Sequence, residues 1–163
     1  MSLFFLDKQN PVEKIDCLAV NIGKSQLLIP MPAVAEIIHS QNPTHSQQLP
    51  EWVAGWIDWR HLNIPLIDFA AMQAQSAAES FGTATRILVL NSCAEGHSHR
   101  YYAIMTNGFP HTLSVEESTE LKGQPPEAVN TCIKINLTIN SSSYALPDFQ
   151  AIEALLQKIP LYY

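Results

Sequence analysis

Cys93, His97 and His99 are the nearest thing to a reactive cluster in the sequence. A thiol beside two imidazoles suits thiol-dependent hydrolysis, and His97-x-His99, after Gly96 in an expected turn, has a spacing that can share a zinc. A catalytic zinc needs a third protein ligand and an open position. No His-Glu-x-x-His run or carboxylate-supported cluster supplies one. His39, His45, His61 and His111 are scattered. No nucleophile elbow, phosphate loop or dinucleotide fingerprint is present. Ser-His-Asp arrangements assemble in space, so the sequence leaves them open. The plainer expectation is a solvated turn bearing the histidines, a Cys93 buried at a strand end, and neither metal nor cofactor. The rival is a small β-barrel hydrolase or metal-dependent enzyme using Cys93, His97 and His99.

Composition narrows the classes further. The 163 residues are 47% hydrophobic and only 15% charged, too apolar for a disordered chain and enough for a core without disulfides. A net charge of −6 with no Lys/Arg cluster argues against nucleic acid, whose phosphates demand several basic contacts. Cys17, Cys93 and Cys132 are odd in number and widely spaced, as expected of reduced cysteines serving as small hydrophobes in strands. Leu3-Phe4-Phe5-Leu6 is too short for a signal peptide, and no apolar stretch reaches membrane-spanning length. A cytoplasmic protein with no direct membrane insertion is expected.

Strand signals dominate the elements that must carry these residues. Leu18, Val20 and Ile22 alternate up to Gly23, so residues 17–30 read as a hairpin. Val34 to Ile38 is a short apolar run, helix or strand, between Pro32 and Pro43. Two strands over 52–69 meet at an Arg60-His61 corner, and the polar stretch 73–85 reads as a surface crossover. Residues 86–90 are apolar on both faces, as in a doubly buried strand, and 101–105 returns. Residues 132–140 alternate without a fault, placing four apolar side chains on one face, and a turn is expected at Ser141-Ser142-Ser143. Asp148 N-caps a helix whose Phe149, Ile152, Leu155, Leu156 and Ile159 share one face, and Pro160 stops it. The fold class is mostly β, of barrel or sandwich type, with a C-terminal helix.

The segment 49–69, LPEWVAGWIDWRHLNIPLIDF, resembles the signature of the CheW-like domain family. That pattern has a proline, an apolar stretch with a glycine, an Asn-Leu-Arg-Gly corner, an apolar step, a proline and an acid near the strand end. The matching positions are Pro50, Gly55, Trp59, Arg60, Pro65 and Asp68. Gly23 and Val34-Ala35-Glu36-Ile37 fit upstream, and 100–115 aligns downstream, so the resemblance covers about 17–156. The chain departs from the pattern at His61 for the corner glycine, Asn107 for an aspartate, and Pro147 inserted before Asp148. Trp56 and Trp59 flank the corner as extra tryptophans.

The resemblance implies a single CheW-like domain over 1–163 made of two packed five-stranded β-barrel lobes. Lobe 1 would span 17–72 and lobe 2 86–147, joined by the crossover 73–85 and followed by a helix over 148–159. It implies a non-enzymatic adaptor that couples the signalling tip of a chemoreceptor to the regulatory domain of a CheA-type histidine kinase, with self- or adaptor-adaptor association as a further contact. A divergent, pilus-associated system fits the departures. By resemblance, Arg60 is the leading partner-binding residue, Glu36 its pairing acid, and Val34, Gly55 and Phe109 lie on or near the receptor groove. Core packing explains Val34 and Phe109 equally well, and backbone conformation or close approach explains Gly55.

Overall fold

In a computed structural model of the chain, residues 13–46, 48–74, 85–126 and 132–161 are described. The apolar run at 3–6 and most of the crossover lie outside them. The fold is mostly β, with two packed sheets and a C-terminal helix, as expected. β1 (Lys14–Ile22) and β2 (Ser25–Pro30) form the hairpin, turning at Gly23 with φ +68°. A short 3-10 turn leads into β3 (Val34–His39), which is a strand. β4 (Val53–Trp59) and β5 (Leu62–Ile67) follow, then α1 (Phe69–Ala74). β6 (Thr85–Asn91), β7 (Tyr101–Asn107), β8 (His111–Glu116) and β9 (Leu121–Gln124) come next. β10 (Ile133–Ile139), β11 (Ser142–Pro147) and α2 (Phe149–Leu156) complete the chain.

The strands form a six-stranded sheet in the order β8-β1-β2-β11-β10-β9 and a five-stranded sheet in the order β3-β6-β7-β5-β4. The chain therefore builds the same arrangement twice and exchanges the hairpins. β1–β2 joins the sheet of the second half, and β6–β7 joins the sheet of the first. Each transplanted hairpin meets its host through a short parallel contact, Leu27 with Ala145 and Ala103 with Leu66. Sheet membership thus follows a different division from the consecutive lobes drawn on the sequence.

The sheets do not close into the expected barrels. The two end strands of each sheet are consecutive in the chain, β3 and β4 in one and β8 and β9 in the other, with no ladder between them. In the five-stranded sheet the connecting segment, rather than β3 itself, lies beside β4. Thr44 exchanges two backbone hydrogen bonds with Trp56, of 2.8 and 2.9 Å, and Pro43 before it has no N–H to extend the pairing. In the six-stranded sheet a tight turn held by Thr119 and Glu116 separates the ends.

Cores on both faces of the sheets explain the sequence pattern. Leu88 and Leu90 of β6 join Leu27, Ile29, Trp56, Tyr102, Ile152 and Leu156 in the core between the sheets. Ile87 and Val89 point the other way, into the cluster of Ile57, Trp59, Ile64 and Leu66. A smaller cluster, Cys17, Ala19, Leu28, Ile139 and Tyr144, gathers side chains of β1, β2, β10 and β11 of the six-stranded sheet. In β10 the expected single face is broken by a register shift between Ile133 and Ile135. Ile133 packs on the inter-sheet core while Leu137 and Ile139 serve the smaller one. A bulge lets one strand feed two cores.

The last hairpin turn and the last helix echo their first-half counterparts. The β10–β11 turn is at Asn140-Ser141, one residue before the expected position, with φ of +48° and +71°, and the β4–β5 turn uses Arg60-His61 at +51° and +65°. Two successive left-handed residues are what a two-residue hairpin requires. Asp148 Oδ1 caps α2 through Ala151 N–H at 3.1 Å, as expected. Asp68 Oδ1 does the same for α1 through Ala71 N–H at 3.0 Å, a helix not expected from the sequence, where the strand ran to Phe69. α2 ends at Leu156, short of Ile159. Backbone bonds from Lys158 to Leu155 and from Ile159 to Leu156 tighten the exit into i,i+3 turns, which still bury Ile159.

His61 makes a simple test of the corner. A β-carbon in the left-handed region costs about 1 kcal/mol, and glycine removes that strain. His61→Gly should raise the melting temperature by about 2–4 °C in a thermal scan. A lower melting temperature would show that the imidazole contributes more than its backbone strain takes away.

Candidate functional site

The Arg60 corner stands over the unzipped seam between β3 and β4. Glu36 on β3 and Arg60 at the end of β4 form the expected pair, with Arg60 Nη2 3.4 Å from Glu36 Oε2. The same carboxylate oxygen accepts the indole N–H of Trp59 at 2.7 Å. Side chains thus join the end strands where the backbone does not. Arg60 places its guanidinium carbon 4.7 Å from the centre of the Trp59 ring, and the Tyr101 ring packs on that indole at 4.8 Å. Trp59 is buried, while the Arg60 side chain is 67% exposed. An ion pair this exposed contributes only about 0–1 kcal/mol, so its effect is orientation.

The other expected positions separate. Val34 is half-buried and packs on the inter-sheet core. Gly55 is buried on β4 at φ +145°, and an added β-carbon would stand 2.6 Å from the Thr44 carbonyl oxygen, so close approach is its evident demand. Phe109 is 67% exposed, which removes it from the core, and the Arg86 guanidinium lies 4.3 Å over its ring. Arg86 is the register partner of His39 at the far end of β3 from Val34. Trp59 and Tyr101 had no assigned role in the sequence. The signal for Trp59 was an aromatic directly beside the corner arginine.

The Cys93–His99 loop has another task. Residues 91–97 line an open pocket of about 380 Å³ with Arg100 and Tyr101, but the histidine ring nitrogens are engaged by carbonyls of α2 and of the turn after it. His97 Nε2 donates to the Glu153 carbonyl at 2.6 Å and His99 Nε2 to the Ile159 carbonyl at 2.8 Å. Donor groups near a helix C-terminus can satisfy its carbonyls; here Ile159 O lies just past the helix, and Glu153 O accepts the Gln157 N–H at 2.9 Å as well. Glu153 answers in reverse, its buried Oε1 accepting the N–H groups of Cys93 and Ala94 at 2.8 and 2.9 Å. Cys93 is exposed rather than buried and lies beyond the strand end. Partial desolvation of the thiol in this otherwise exposed residue, then the Glu153 charge, pushes its pKa up, opposite to what a nucleophilic cysteine needs. Cys17 and Cys132 are buried as expected, with pKa values raised chiefly by burial. Among the described residues no group of three or more His, Cys, Asp or Glu side chains is placed to hold a metal.

His99 gives the loop a pH dependence. Burial lowers its pKa below 6.5, outweighing the Ile159 carbonyl, which pulls it up. A lowered histidine favours folding above the unfolded-state pKa, and that contribution is lost as pH falls from 6.5 toward the folded value. In denaturant titrations at pH 7.5 and 5.0, His99→Gln should show a smaller loss of stability than the parent. Equal losses would remove His99 as the source.

Two curled sheets that share a core, exchange hairpins and carry an arginine corner define a paired-lobe β scaffold. The chain belongs to the CheW-like domain family, whose model matches residues 16–152. Among the solved structures that match is the scaffolding protein TtCheW from Thermoanaerobacter tengcongensis. It is 14% identical, with 83% of this chain and 89% of that one covered at a TM-score of 0.66. At this identity the likeness is one of fold. No curated protein sequence matches the chain. Among the described residues no helix is long and apolar enough to cross a membrane.

Proposed function

We propose that the chain is a non-enzymatic, cytoplasmic adaptor that couples a chemoreceptor signalling tip to the regulatory domain of a CheA-type histidine kinase. A pilus-associated array is the setting that its departures from the family pattern favour. Membership of the CheW-like family supports the scaffold class. The observation that carries the interaction site is the Arg60 guanidinium, exposed yet held by Glu36 and Trp59. Arginine suits such a surface because its planar fork meets carboxylates and backbone carbonyls while its stem covers apolar area. The adaptor acts by position. It holds receptor and kinase in one geometry, so a small receptor shift biases the kinase between its states.

The test is a binding titration against a soluble receptor-tip fragment. Arg60→Ala should weaken binding about tenfold, the scale of an interface hot spot, and leave the melting temperature within about 2 °C, as expected of an exposed pair. Glu36→Lys should weaken binding in the same way. Unchanged affinity in both variants, or affinity and melting temperature falling together, would sink the assignment.

A further inference from the structure

We infer that Trp59 is the positioning residue of the corner, fixing the Arg60 guanidinium as an outward-facing donor before any partner arrives. This deepens the adaptor reading and rests on it for its consequence, though not for its geometry. An arginine side chain alone at a turn samples many rotamers, and a single 3.4 Å contact with an exposed carboxylate does little to select one. Trp59 acts on both members of that pair. Its indole N–H, a donor with no acceptor capacity, reaches Glu36 Oε2 at 2.7 Å and so anchors the carboxylate itself. Its ring face lies 4.7 Å from the Arg60 guanidinium carbon, close enough for cation–π attraction.

The indole can do this because it is itself immobile. Trp59 is only 6% exposed and belongs to the inner cluster with Ile57 and Leu66. Tyr101 of β7 packs on its ring at 4.8 Å and 57°. The turn adds a second constraint, since Arg60 follows directly in the left-handed region at φ +51°. Glu36 Oε2 accepts the Trp59 N–H and faces the Arg60 guanidinium, and the guanidinium, 67% exposed, turns its remaining N–H donors to a partner. Leucine, which the family pattern carries at this place, can neither donate to Glu36 nor stack on Arg60.

The experiment has two arms. In the free protein, side-chain NMR relaxation of Arg60 Nε–H should show an ordered group that becomes mobile in Trp59→Leu and is intermediate in Trp59→Phe, which keeps the ring and loses the N–H. In titrations with the soluble receptor-tip fragment, Trp59→Phe should weaken binding about threefold and Trp59→Leu about tenfold. Adding Arg60→Ala to Trp59→Leu should then cost much less than it does in the parent, because coupled residues are non-additive. A residue that merely supports the fold would lower the melting temperature without this coupling. Arg60 order unchanged in Trp59→Leu, or losses that multiply fully, would overturn the inference. If the parent fails to bind the fragment, the adaptor reading falls and the relaxation arm alone decides the role of Trp59.

Discussion

Gly55→Ala should lower folding stability by about 3 kcal/mol, and the melting temperature by about 6–12 °C. Two causes add. At φ +145° the backbone occupies a region that side chains rarely tolerate, and the new β-carbon would sit 2.6 Å from Thr44 O and 2.9 Å from Pro43 Cβ. The clash is with backbone and a proline ring, so no flexible tip can swing away. Relief requires the 43–44 segment to lift off β4, which breaks the two Thr44–Trp56 hydrogen bonds bridging the seam. Gly23→Ala is the control. Gly23 also has a positive φ, but nothing lies within 4 Å of the added carbon, so only the conformational cost of about 1 kcal/mol applies. Amide exchange at Thr44 and Trp56 should accelerate in the Gly55 variant alone. Equal costs for the two substitutions would show that the close approach contributes nothing.

What the sequence revealed was what depends on neighbours in the chain. The β1–β2 hairpin, the doubly buried β6 and the Asp148 cap follow from periodicity and from short polar side chains reaching nearby amides. The Glu36–Arg60 pairing was legible only through family resemblance, because the partners meet across a seam and not along a strand. The hairpin exchange was invisible. β1 and β6 are both alternating or apolar strands, and nothing in either states which half of the chain supplies its neighbours. Register shifts were hidden for a related reason. Ile133, Ile135, Leu137 and Ile139 alternate evenly, and only the presence of two cores reveals that Ile133 serves a different one. The role of Trp59 was missed because an indole next to an arginine reads equally well as core. Its N–H matters once β3 brings Glu36 within reach.

A loss similar in size to that at Gly55 is expected at Glu153, a carboxylate that nothing in the sequence singled out. It is 2% exposed, and Oε1 holds the N–H groups of Cys93 and Ala94. Oε2 has no hydrogen-bond partner, and the Tyr102 hydroxyl, whose pKa is pushed up by burial and then by the Glu153 charge, does not meet it in hydrogen-bonding geometry. Glu153→Ala strips the acceptor from both amides, each unsatisfied donor costing about 1–3 kcal/mol, offset in part by release from burying the charge. A net loss of about 2–4 kcal/mol in denaturant titrations is expected. Glu153→Gln keeps an oxygen for the amides and removes the charge, so its stability should fall by only about 1 kcal/mol. The second variant carries a chemical signature as well. With the anion gone, the charge that raises the Cys93 pKa disappears. More thiolate then exists at pH 8, and iodoacetamide should label Cys93 faster than in the parent. Slower labelling, or an alanine variant as stable as the parent, would mean that the loop is held to α2 by His97 and His99 without help from Glu153.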